Sequence, residues 1–302
     1  MKRIIPHPYN LIILILFACE DVIDVETQPE APRLVVNGLI RVDETQEFID
    51  VRIKATETND FFNENTVSSL ESAVILPGVV NTELNAGVEF GRASVLVESE
   101  PGSGVYVPDV VPGDVDNRLR TIGLSSEIVF LLILEHNGRR YASQTSYVPT
   151  VPIQNLEQGN ETLFDEDDTE IKITFTDVPD EDNYYVFDFG EGNFVALDDQ
   201  FIDGQEFEFS YFVERDLKPG EEFEVSILGA DQQFFNYIDL LVEQTENDGG
   251  IFETPVATVR GNILDVTGLD NIEIFDNVGR PESFALGYFA VVEEQKRTIT
   301  IQ

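Results

Sequence analysis

The chain has 302 residues, 42% apolar and 25% charged, which excludes a disordered or fibrous protein and is enough for a sizeable core. Its 58 Asp and Glu against 18 Lys and Arg give a formal charge of −40, so a phosphate backbone is repelled and nucleic-acid binding is excluded. One Cys, with His7 and His136 as the only imidazoles, rules out a disulfide framework, a thiolate zinc site and an iron–sulfur cluster.

Lys2 and Arg3 precede the apolar run Leu11–Phe17, and Ala18-Cys19 follow. This is the layout of a secretory signal, and the run is far short of the roughly 20 residues that cross a bilayer. The single thiol stands directly after the run, in Leu16-Phe17-Ala18-Cys19. The segment resembles the bacterial lipobox, whose Cys receives fatty chains such as palmitate while the leader is removed. Residues 1–18 are therefore expected to be a lipoprotein signal peptide and Cys19 the lipidation site; an ordinary signal peptide or a buried amino-terminal helix is the plainer alternative. Multiple acylation is needed for stable anchoring, because one chain holds only reversibly. Residues 19–32 are acidic and proline-bearing, the composition of a tether reaching at most about 45 Å. The acids after Cys19 fit a surface-export signal as well as a solvated spacer.

From Arg33 the pattern is that of a β protein. Leu34-Val35-Val36 opens a strand. Ile49, Val51 and Ile53 alternate with Asp50 and Arg52, and Ala93, Val95 and Val97 form a similar one-sided set. The stretch Asn59–Leu84 reads as a long loop. Ile128–Glu135 and Arg140–Val148 flank His136-Asn137-Gly138-Arg139, where Asn-Gly suits a type I′ hairpin turn. Val129–Leu134 is apolar on both faces and predicts a central strand. Pro149 and Pro152 mark a boundary.

Beyond it, Ile171, Ile173 and Phe175, then Tyr185 and Phe187, then Phe207, Phe209 and Tyr211, then Phe223, Val225 and Ile227 each place large residues on one face. Lys218-Pro219-Gly220-Glu221 predicts a type II turn. Phe234, Ile238 and Leu241 predict one helix over Gln232–Thr245, stopped by Asn247-Asp248-Gly249-Gly250. The expected fold is mainly β: two β-sandwich (immunoglobulin/transthyretin-like) domains, residues 33–149 and an acidic 150–302, with the short helix in the second.

Several motifs fall in a shared order. They are Cys19-Glu20-Asp21-Val22-Ile23-Asp24, Leu34-Val35-Val36-Asn37-Gly38-Leu39-Ile40, Ala93-Ser94-Val95-Leu96-Val97 and Asn137-Gly138-Arg139-Arg140-Tyr141-Ala142-Ser143. Asp199–Gln205, the helix around Tyr237, Val259-Arg260-Gly261-Asn262-Ile263 and Leu286-Gly287-Tyr288-Phe289 complete the series. Together they resemble the domain-of-unknown-function 4249 family of bacterial outer-membrane lipoproteins, while Asn160–Glu170 and Asp265–Pro281 depart from its pattern. The resemblance implies a lipid-anchored outer-membrane protein, β-sandwich domains, a TonB-dependent uptake receptor as partner and no catalytic residues.

Chemistry beyond the anchor is weakly marked. Carboxylate pairs such as Asp165-Glu166-Asp167-Asp168, Asp180-Glu181-Asp182 and Asp198-Asp199 carry little information among 58 acids, so a glycosidase pair is not expected. Calcium fits clustered carboxylates better, yet no D-x-[DN]-x-[DN]-G loop occurs and a charge run is usually a solvated face; no cofactor is assigned. His136 reads as a solvated residue beside its turn, and Gly190-Glu191-Gly192 as a turn. Tyr184, Tyr211, Tyr288 and Phe289 form either core or a sugar or peptide platform. The expected role is a non-enzymatic accessory to an uptake receptor, with a surface glycan- or peptide-binding module as the alternative. The acidity also fits a saline habitat, with stability rising as salt screens self-repulsion.

Overall fold

The structure, a computed structural model, describes residues 32–58, 66–81, 87–113, 115–162, 168–213, 215, 217–245, 259–269 and 283–302. The leader, Cys19, nearly all of the tether and the helix stop at 247–250 lie outside these residues. The described strands begin with β1 (Leu34–Val42), β2 (Ile53–Glu57), β3 (Thr66–Val67), β4 (Ser72–Asn81), β5 (Gly87–Phe90), β6 (Ser94–Glu98) and β7 (Val105–Pro108). There follow β8 (Ile128–His136), β9 (Arg139–Val148), β10 (Asn155–Gln158), β11 (Thr169–Thr176), β12 (Tyr184–Asp188) and β13 (Phe194–Asp198). β14 (Glu206–Val213), β15 (Glu222–Ala230), α1 (Gln232–Thr245), β16 (Leu264–Asp265) and β17 (Leu286–Thr300) complete the order.

The main sheet closes on itself. Its strands run β17-β1-β2-β7-β6-β4-β8-β9, and β9 returns to β17 through Val291↔Tyr147 and Val292↔Val148, giving an eight-stranded barrel. This corrects the expectation of two β-sandwich domains. Period-2 burial is common to sandwich and barrel, and the closing pair joins residues some 140 apart in sequence, a contact that alternation cannot encode. β17 also pairs with strands from both sides of Pro149. Its first half lies in the barrel beside β1, and its second half pairs with β15 through Leu228↔Glu294 to Glu222↔Thr300. From β17 the sheet continues outward as β15, β12 and β13. Pro32–Gln302 is accordingly one compact unit.

Side chains fill the barrel, as eight strands allow: Val36, Ile40, Ile53, Ile75, Phe130, Leu132, Leu134, Tyr147, Phe289 and Val291 are buried together. On the outer face of β8, Leu131 is buried against Ala142 and Val266, so the strand is buried on both sides as its sequence demands. A second core lies between the extension and the sheet β10-β11-β14, where Ile171, Ile173 and Phe175 meet Tyr185, Phe187, Phe223, Val225 and Ile227. α1 packs on the opposite face of the extension through Phe234 and Ile238. Asp231 caps the helix, its carboxylate accepting the Phe234 N–H at 2.7 Å.

Local turn chemistry follows the sequence. Asn137 and Gly138 take φ of 51° and 69°, and Gly220 takes 89° with Glu221 N–H donating to the Lys218 carbonyl. Two local readings need correction. Asn59–Leu84 is not one loop, for it contains β3 and the whole of β4. Pro77 hid the strand, and it is tolerated there because β4 changes neighbour at that point, from β6 (Ala73–Ile75) to β5 (Gly78–Asn81). In β6 the buried face is the opposite one: Ser94 and Leu96 point inward while Val95 and Val97 are exposed.

The motif glycines have a steric cause. Gly287 has φ +88°, and a Cβ there would run into the Val36 carbonyl; one on Gly261 would run into the Gly287 carbonyl. Asn262 completes this junction, its amide donating to the Phe289 carbonyl (2.7 Å) and accepting the Phe289 N–H (2.9 Å), as a paired strand would.

Candidate functional site

A cleft of about 1110 Å³ runs from the C-terminal half of α1 around the end of the extension to β14. Alternation decides its floor. β12, β15 and β17 send Asp188, Ser226, Glu224 and Lys296 to this face, and β1 contributes Arg41. These charges form a ladder with the adjacent Glu294. Arg41 Nη2 lies 2.5 Å from Asp188 Oδ2 and Nη1 3.0 Å from Glu294 Oε1; Lys296 Nζ lies 3.6 Å from Glu294 Oε2 and 3.2 Å from Glu224 Oε1. The Glu294 side chain is only 8% exposed and is paired with both cations. Burial works against the Arg41 guanidinium, but Asp188 and Glu294 more than offset it and its pKa rises; Lys296 is raised in the same way by Glu294 and Glu224.

One wall is the Gly190-Glu191-Gly192 turn, with φ of 87°, 56° and 88°, and the start of β13. The facing wall carries Tyr211, Phe212 and Arg215, with Arg215 paired to Glu221 at 2.7 Å. Tyr211 stacks on Phe189 with ring centroids 3.6 Å apart. The cleft thus offers aromatic faces beside alternating donors and acceptors, suited to a polar extended ligand.

The four aromatic residues considered for a platform are not brought together. Phe289 is inside the barrel, Tyr288 is buried under α1 against Phe234 and Tyr237, and Tyr184 packs on Phe235. Only Tyr211 reaches the cleft. His136 is a correction, being 6% exposed rather than solvated. Its Nε2 lies 2.8 Å from Glu57 Oε1 and its Nδ1 3.0 Å from the Ser69 carbonyl, so the imidazole fastens the β8–β9 hairpin to β2 and the segment before β4. Cys19 and Asp165–Asp167 lie outside the described residues, and Asp180-Glu181-Asp182 is exposed.

Among the described residues, one acidic group has oxygens close enough for a cation: Asp177, Asp199 and Asp203, within 4.8 Å of one another. Each already has a protein donor. Asp177 accepts the Tyr185 hydroxyl (2.5 Å) and Gly204 N–H (2.8 Å), Asp199 accepts Asn183 N–H, and Asp203 accepts Asp180 N–H. Burial, followed by the bond to Asp177, raises the Tyr185 pKa. These carboxylates brace the loops at 177–183 and 199–205, and sequence adjacency pointed to Asp198-Asp199 without revealing Asp177 as its partner. Arg41 was missed altogether. No local pattern joins residues 41, 188 and 294, which meet only because β17 links the two parts of the sheet.

No curated protein matches this chain. Among solved structures, selenomethionine-substituted chicken interferon gamma receptor alpha chain is matched at 11% identity over 69% of this chain and 92% of that one, with a TM-score of 0.18. At that score the likeness bears on neither fold nor function. A family model described as domain of unknown function (DUF4249) matches residues 20–298, which includes the barrel, the extension and the ordered motifs from Glu20 onward. The chain belongs to the DUF4249 family.

Proposed function

We propose that this is a non-enzymatic lipoprotein of the outer membrane, held by acyl chains on Cys19 and acting as an accessory to a TonB-dependent uptake receptor. The observation that supports it is the position of the only thiol, directly after a short apolar segment and joined by an acidic, proline-bearing stretch to the first strand at Leu34. An acyl anchor contributes about 0.8 kcal/mol per buried CH₂, so two or more chains hold the protein at a membrane. Cys19→Ser is expected to abolish labelling by radioactive palmitate and release the protein into the soluble fraction. Retention of the variant in the outer-membrane fraction contradicts the anchor, and repeated failure to recover a receptor in mild-detergent pull-downs contradicts the accessory role.

The cleft favours a second reading, a surface module that binds a glycan or a peptide. Its volume and its mixture of paired charges with the Tyr211–Phe189 stack are what support this. A glycan array and a peptide array probed with the acylated protein distinguish the two ligand classes.

A further inference from the structure

Among the described residues, the cleft is bordered by a sheet edge that no further strand continues, with α1 packed on one face of it. Among the described residues, β13 ends the main sheet and pairs only with β12, while β14 ends the small sheet. β14 alternates Glu206 and Glu208 with its aromatics, the charged pattern that discourages further pairing. β13 instead reads Phe194-Val195-Ala196-Leu197-Asp198, half-buried throughout, with no proline and no charge before its last residue. An apolar edge of this kind is a template for another strand.

The direction of its free groups follows from the ladder. Phe189 N–H donates to the Asn193 carbonyl (3.0 Å) and Asp199 N–H to the Asn183 carbonyl (3.2 Å), which marks both as hydrogen-bonded pairs. Bonded and non-bonded pairs alternate in an antiparallel ladder, so 187/195 and 185/197 are bonded pairs as well. Phe194, Ala196 and Asp198 therefore turn their N–H and C=O away from β12, and among the described residues these N–H groups have no partner. Phe194 and Ala196 also line the cleft. The three cations of the lining, Arg41, Arg215 and Lys296, are all ion-paired, whereas Glu191, Glu222 and Asp239 add further negative charge around it.

We infer that β13 is a strand-addition site for an extended basic peptide: the peptide backbone pairs with the outward groups of Phe194, Ala196 and Asp198, and its alternate Lys or Arg side chains enter the cleft toward Glu191, Glu222 and Asp239. This rests on the second reading above and narrows it to peptide. Main-chain bonds supply the docking and the cleft charge selects the side chains.

The test uses the full protein and three probes: blocked Ac-(Lys-Val)4-NH2, its Glu-Val counterpart and maltohexaose. The Lys-Val peptide is expected to bind and to weaken at least tenfold in 0.5 M NaCl, with the Glu-Val peptide at least tenfold weaker. N-methylation of one alternate set of its amides should remove binding and of the other set should spare it, because only one edge of the peptide faces β13. Ala196→Pro removes one outward N–H without touching the β12 ladder and should cut affinity at least tenfold. The methylated peptides keep the test decisive if that variant does not fold. Equal binding of both methylated sets, or binding of the Lys-Val peptide unaffected by Ala196→Pro, overturns strand addition. Binding of maltohexaose but of neither peptide overturns it too and leaves the surface-module reading standing; binding of none of the three probes removes both.

Discussion

The barrel and its extension are made from one sheet and treat their edges in opposite ways. In the barrel every strand of the ring has two neighbours, so backbone groups are paired all round and the interior is solid with side chains. In the extension the same sheet runs out at β13, and the face beyond α1 is floored by ion pairs instead of apolar residues. Closure supplies rigidity and leaves no edge; the open part keeps an edge, a cleft and most of the charges that meet there. Scaffold and candidate site are thus separated within one sheet, with β17 as the shared strand.

The sharpest way to break this comparison is at the joint. Gly287→Ala forces a side chain into the left-handed region and against the Val36 carbonyl, and should cost more than about 4 kcal/mol in denaturant unfolding, enough to prevent stable folding. Phe130→Ala empties the barrel centre and should cost about 3–4 kcal/mol. Because β17 is common to both parts, the extension should unfold in the same transition, seen as coincident loss of barrel and Phe187 NMR signals; a folded extension surviving barrel loss would mean two independent units. Arg41→Met leaves Asp188 and the nearly buried Glu294 short of a cation and should cost about 2 kcal/mol.

Two solvent conditions sharpen the electrostatic side. Glu98, Glu135 and Glu170 are held below their ordinary 4.5 by bonds from Gly104 N–H, Arg140 and the Ser210 hydroxyl respectively, and Asp116 is lowered to about 2 by Arg118. Their folded pKa values are depressed, so their contribution is present above the unfolded values and is lost as pH falls through the folded ones. Unfolding free energy should therefore drop between about pH 4.5 and pH 2. The smallest effect is that of salt: screening of the −40 charge should raise the melting temperature by a few degrees from low salt to seawater strength, and a flat response would count against self-repulsion.

Much of the local structure was legible. The Asn137-Gly138 hairpin, the Pro219-Gly220 turn, the buried sets at Ile171–Phe175 and Phe223–Ile227, and the helix Gln232–Thr245 all follow from short-range pattern. The barrel did not, because the β9–β17 pairing is a long-range choice, and the same alternation that marks a strand is silent on which face becomes the inside. Ser94 and Leu96 in β6 illustrate this, for Val95 and Val97 are more apolar than Ser94 and still point out. The cleft was legible only in pieces. Alternation placed Glu224 on the face opposite Phe223 and Val225, but nothing near Arg41 announced that it would meet Asp188 and Glu294.

The most direct test of an edge-free scaffold joined to an open-edged site is residue-resolved amide hydrogen exchange, with and without the Lys-Val peptide. The account predicts slow exchange at Phe130 and Leu132 in both states, and fast exchange at Phe194 and Ala196 that slows when peptide is added. Amides of Phe194 and Ala196 as protected as those of Phe130 in the free protein, or unchanged by peptide, would contradict it.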